Sequence, residues 1–108
     1  MSTKGIVIVA DYATDEQLSL DDLCAIVNLN QEAIMELIEH EVIHPQGDEP
    51  PEWIFDLNEL KRLKRALRLK RDLQVNVEGL AILLNLLEEV DDMRAHIQLL
   101  EKHYFHHD

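Results

Sequence analysis

The 108-residue chain is poor in cations: ten Lys and Arg stand against 22 Asp and Glu, a net charge of −12. That balance argues against a general nucleic-acid binder, because affinity for a phosphate backbone comes mainly from Lys and Arg releasing counterions. A single cysteine, Cys24, excludes an internal disulfide and points to a reducing compartment. The three glycines, Gly5, Gly47 and Gly79, are too scattered to build a phosphate-cradling loop. No Cys pair or Cys/His cluster has zinc-ligand spacing, and no Ser, His and Asp stand in the strand-turn-helix context of a catalytic nucleophile. The chain is therefore expected to be no enzyme and to need no cofactor or metal. His103 and His107 are four apart near the end of the chain, where a frayed terminus accounts for them better than a metal pair. The apolar run at residues 6–10 is too short for a secretory signal or a membrane span, so a cytoplasmic protein is expected.

What the chain does contain suits a folded domain: 46% of its residues are hydrophobic and 30% charged. A chain of this length hides only about two thirds of the surface its unfolded form exposes, so a partner subunit would help it. The charge is segregated. Residues 1–56 carry a net −12, residues 57–72 a net +5, and residues 73–108 a net −5. Such blocks read either as solvated helix faces with internal ion pairs or as surfaces that select a partner by charge.

Periodicity orders the elements. Residues 5–10, with four β-branched residues at 6–9, predict a short strand. Ser19 with Asp22 forms a capping box before a helix whose inward stripe is Leu20, Leu23, Cys24 and Val27. Residues 28–30 are a turn, and Asn30 caps a second helix with Ala33, Ile34, Leu37 and Ile38 inward, which makes a helix-turn-helix. Val42-Ile43-His44-Pro45 ends that unit, and residues 46–52, with Gly47, Pro50 and Pro51, form a loop. Trp53, Ile54 and Phe55 predict a second strand that pairs with residues 6–10 as a small wing, with Trp53 packed on the core. Asp56 and Glu59 predict another capping box, opening a basic helix with Leu60, Leu63 and Leu67 buried. Asn76 then caps a stretch reaching to about Tyr104, apolar on nearly every side in its first half. The spacing nominates Leu80, Leu83, Leu87, Val90, Met93, Ile97 and Leu100 as a coiled-coil-like seam between two copies of the chain; a helix folded back on its own domain is the alternative. Four acids in residues 88–92 leave a bend there open.

The ordered set of helix-turn-helix, the Val42-Ile43-His44-Pro45 step, Trp53-Ile54-Phe55-Asp56 and two amphipathic helices resembles the winged domain of MerR-type regulators. Such regulators place Arg, Lys or Tyr on the second helix, where DNA is contacted. Here that helix presents Glu32, Glu36 and Glu39, with Glu41 just beyond, a stripe that duplex phosphates repel. Those glutamates, together with Glu52-Trp53-Ile54-Phe55-Asp56, Arg65-Ala66-Leu67-Arg68-Leu69 and Glu89-Val90-Asp91-Asp92, look like the CbpM family of chaperone modulatory proteins. The resemblance implies a mainly α, MerR-like winged helix-turn-helix fold with a small two-stranded wing and a C-terminal dimerisation helix. It places the head at residues 1–72 and the dimerisation region at 73–108, in one compact unit. It further implies a cytoplasmic homodimer, nucleoid-associated only through its partner. That partner would be the J-domain of a curved-DNA-binding, DnaJ-type (CbpA-type) co-chaperone, which the protein binds and inhibits. Glu32, Glu36, Glu39, Asp21 and Asp22 are the candidate partner-binding residues, although helix capping alone also accounts for the two aspartates. The alternative is a MerR-like transcription regulator that lays Lys61, Lys64, Arg65 and Arg68 on DNA; against it, those cations can pair with the protein's own carboxylates. Direct nucleic-acid binding is not expected, nor is a membrane.

Overall fold

In the computed structural model, which describes residues 17–105, the chain folds through local caps that the sequence spells out. Helix α1 (Leu20–Val27) begins at Ser19, whose hydroxyl accepts the Asp22 N–H at 3.0 Å while the Asp22 carboxylate accepts the Ser19 N–H at 2.9 Å. It ends at Asn28 in the left-handed conformation (φ 60°), which turns the chain into Asn30. The Asn30 side chain accepts the Ala33 N–H and starts α2 (Gln31–Glu39). Both caps satisfy orphan N–H groups, an effect worth about 1 kcal/mol each.

The wing is corrected. The expected strand at residues 5–10 lies outside the described residues, and among the described residues Ile54 and Phe55 make only single antiparallel bridges. Ile54 pairs with Gln46 and Phe55 with Leu18, each exchanging both backbone hydrogen bonds. Neither bridge can lengthen, because Ser19 opens a helix directly after Leu18. On the other side Gly47 turns the chain at φ 117°, where a Cβ would stand 2.8 Å from the Glu52 carbonyl. A short 3-10 turn at Pro50–Glu52 fills the loop.

Helix α3 (Leu57–Leu73) starts at Asp56, which accepts the Glu59 N–H at 2.9 Å. The reciprocal half of the expected box is not made. The Glu59 carboxylate instead accepts the His44 N–H at 2.8 Å, which ties the segment after α2 to α3. Asn76 accepts the Gly79 N–H and opens α4 (Val77–Phe105), 29 residues without interruption, roughly 43 Å of helix. The core gathers Leu18, Leu23, Ile34, Leu37, Val42, Ile43 and Phe55 with the buried side of α3 and, from α4, the buried Leu80 and Leu84, with Val77 and Ala81 packed against it.

The region of residues 88–92, where a bend was open, is continuous helix, and two of its four acids are engaged by α3. Arg62 of α3, only 9% exposed, donates to the Val42 carbonyl, to Asn85 and to Glu88, and one turn on Arg65 meets Asp91 at 2.9 Å. Beyond that point α4 does not fold back: every described side chain from Glu89 to Tyr104 is exposed.

Candidate functional site

Two faces stand out: an acidic one on α2 and an apolar one on α4. With Ile34 and Leu37 directed into the core, the 3.6-residue period carries Glu32, Glu36 and Glu39 to the opposite side of α2, where all three are exposed. Among the described residues no cation comes within ion-pair distance of any of them. His40, at the end of α2, faces Glu78 instead, at 3.9 Å. Glu36 and Lys70 line the same 230 Å³ cleft without forming an ion pair. The acidic stripe is therefore not neutralised by any ion pair among the described residues.

The two aspartates of α1 are partly spoken for. Asp22 is held in the capping box. The Asp21 Oδ1 accepts the Gln31 side-chain N–H at 2.8 Å, which links the starts of α1 and α2. Cys24, half-buried on the same helix, packs against the core, and that burial, with the Asp21 charge beside it, raises its thiol pKa; a nucleophilic thiolate is disfavoured there.

The basic helix divides its charges. Of Lys61, Lys64, Arg65 and Arg68, only Arg65 is paired with the protein's own carboxylates; the other three are exposed and make no ion pair among the described residues.

On α4 the structure redraws the proposed seam. Leu80 is fully buried within its own chain, and Leu83 and Leu87 are half-buried on or beside that inward side. The exposed apolar line is Ile82, Leu86, Val90, Met93, Ile97, Leu100 and Tyr104, with exposures of 40–73%. Its steps of four, four, three, four, three and four residues hold one face of a helix. Ile82 and Leu86 are the residues that sequence reasoning missed. Counting back from Val90 by fours finds them, whereas counting by threes and fours through Leu87 and Leu83 slides into the core. Val90, Met93, Ile97 and Leu100 lie on the exposed face.

Residues 18–102 match the family model described as MerR HTH family regulatory protein. The curated relatives include the chaperone modulatory protein CbpM of Coxiella burnetii, 38% identical over 92% of this chain and 90% of the relative. The CbpM proteins of Pseudomonas entomophila and Pseudomonas putida are 36% and 34% identical, each over 80% of this chain and 85% of the relative. The chain belongs to the CbpM family, within the MerR helix-turn-helix group. As a CbpM-family protein it keeps the helix-turn-helix of that group while presenting carboxylates from the helix that regulators lay on DNA. No helix among the described residues is long and apolar enough to cross a membrane.

Proposed function

We propose that this CbpM-family protein is a homodimeric chaperone modulator that binds the J-domain of a curved-DNA-binding, DnaJ-type co-chaperone through α2 and inhibits it. The observation that carries the reading is the stripe of Glu32, Glu36 and Glu39, exposed and without a cation among the described residues. The names of the curated relatives support the chaperone-modulating part of the reading. J-domains offer a basic helix and a His-Pro-Asp loop to a DnaK-type chaperone. A matching negative face can cover that helix, so occupancy by this protein and by the chaperone becomes mutually exclusive. Charge complementarity of this kind raises the association rate and rejects acidic partners. The open apolar line on α4 supports dimerisation, because a lone exposed stripe of this length is covered most economically by its own copy.

The test reverses all three glutamates to lysine and measures J-domain binding by calorimetry at low salt. The expected result is a fall in affinity of at least about 100-fold, since close charge pairs across interfaces couple by about 1.5 kcal/mol or more. Unchanged affinity removes α2 from the interface. A second reading, a transcription regulator, draws on Lys61, Lys64 and Arg68, exposed and unpaired among the described residues. It requires a duplex mobility shift that weakens steeply with salt; the first reading expects none.

A further inference from the structure

A cleft of 290 Å³ opens beside the acidic face, where the starts of α1 and α2 meet the loop, and is lined by Leu20, Asp21, Gln31, Pro50, Pro51 and Trp53. We propose that this cleft is the anchor pocket of the partner surface and receives one long cationic side chain, an arginine or a lysine, from a basic helix of the partner. The inference rests on the reading of α2 as a protein-binding face and locates its strongest contact.

Four observations support that occupant. The walls are the kind a cationic stem favours: leucine, two prolines and an indole, against which the methylenes of Arg or Lys pack while the charged head stacks on the aromatic surface. Among the lining residues the exposed Asp21 brings a carboxylate already oriented. Gln31 fixes one oxygen of Asp21 at 2.8 Å, and the other oxygen has no partner among the described residues. No cation lines the cleft, while the carboxylates next along the chain to its lining residues, Asp22, Glu32, Glu49 and Glu52, are all exposed. The room equals that of roughly ten waters at about 30 Å³ each, ample for an extended side chain and its ordered neighbours. Gln31, which lines the cleft, directly precedes Glu32 of the glutamate stripe on α2. A helix laid on Glu32, Glu36 and Glu39 can therefore send one residue into the cleft. Tryptophan and arginine meeting in a desolvated pocket are the usual centre of an interface, with rim charges adding selectivity around them.

Trp53 is the chain's one tryptophan and lines the cleft, so its fluorescence reports on an occupant there. The probe is a tryptophan-free, arginine-rich helical peptide titrated into the full-length protein at low salt, with calorimetry in parallel. The expected result is a saturable change in Trp53 emission and an affinity about tenfold lower for Asp21→Asn, which keeps an oxygen for Gln31 but removes the charge. Trp53→Phe, checked for its fold by circular dichroism, is expected to weaken binding several-fold. A peptide with citrulline in place of arginine, equal in shape and uncharged, is expected to leave the emission unmoved. Equal emission changes from both peptides would make the cleft an apolar groove and overturn the assignment of a cation. Binding that is indifferent to Asp21→Asn and silent at Trp53 would dismiss the cleft and leave the α2 reading intact. Absence of any binding of the arginine peptide to the unaltered protein would sink both.

Discussion

Replacing Ile97 by Glu is expected to dissociate the proposed dimer without unfolding either copy. Six aliphatic residues of the α4 line, Ile82 to Leu100, keep 40–64% of their surface open. Complete burial of such a side chain is worth about 1.5–3 kcal/mol, so closing the remaining half contributes about 1 kcal/mol each. Two copies then gain about 12 kcal/mol, against an association cost of about 4–15 kcal/mol, which places the dimer in a range where small losses show. Ile97→Glu removes about 1 kcal/mol per copy and sets a carboxylate on an apolar seam twice over. A loss of about 2–3 kcal/mol corresponds to a dissociation constant raised about 100-fold. Sedimentation velocity over a wide concentration range reads this directly, with helix content by circular dichroism unchanged because Ile97 touches no core residue. Leu99, 64% exposed and roughly 160° around the helix from Ile97, is the control, and Leu99→Glu should leave the dimer intact. A protein that sediments as a monomer at about 100 µM, or a dimer indifferent to Ile97→Glu, refutes the assignment of this face.

Arg62→Ala leaves the Val42 carbonyl without its donor and breaks the contact with Glu88; with Glu88 46% exposed and free to rehydrate, the expected cost is about 2–3 kcal/mol, read as a melting temperature lower by about 10–20 °C. Gly47→Ala forces a Cβ against the Glu52 carbonyl at a positive φ and is expected to destabilise by about 1–3 kcal/mol in urea unfolding. Cys24, its thiol pKa raised by burial and by Asp21, holds less thiolate at pH 8 than a free thiol. Its alkylation should be slower than that of glutathione and should speed up as pH rises.

The caps at Ser19, Asn30 and Asn76 and the inward stripes of the first three helices were legible because each depends on residues within one or two turns. Partners distant in sequence were not. Glu59 has the right spacing for a box with Asp56, yet the backbone of His44, fifteen residues earlier, takes its carboxylate. Trp53, Ile54 and Phe55 read as a strand of a wing, yet among the described residues only Ile54 and Phe55 form single bridges, and pattern alone could not say that Gln46 and Leu18 would receive them. The first half of α4 is apolar all round, so periodicity had no contrast with which to choose its inward side. Only packing against α3 shows that Leu80 and Leu84 are core while Ile82 and Leu86 are surface. The glutamates of α2 were legible for the opposite reason, since a charged residue opposite Ile34 and Leu37 has only one direction to face.

Arg62 grips the backbone at the close of the helix-turn-helix and the flank of the long helix with one guanidinium. Head and shaft are thereby welded into a single lever. In a pair of such levers the aim of each glutamate row is set at the crossing of the shafts, far from the glutamates. A substitution at Met93 that alters this crossing would swing both rows to a new bearing while every side chain in them stayed as it was.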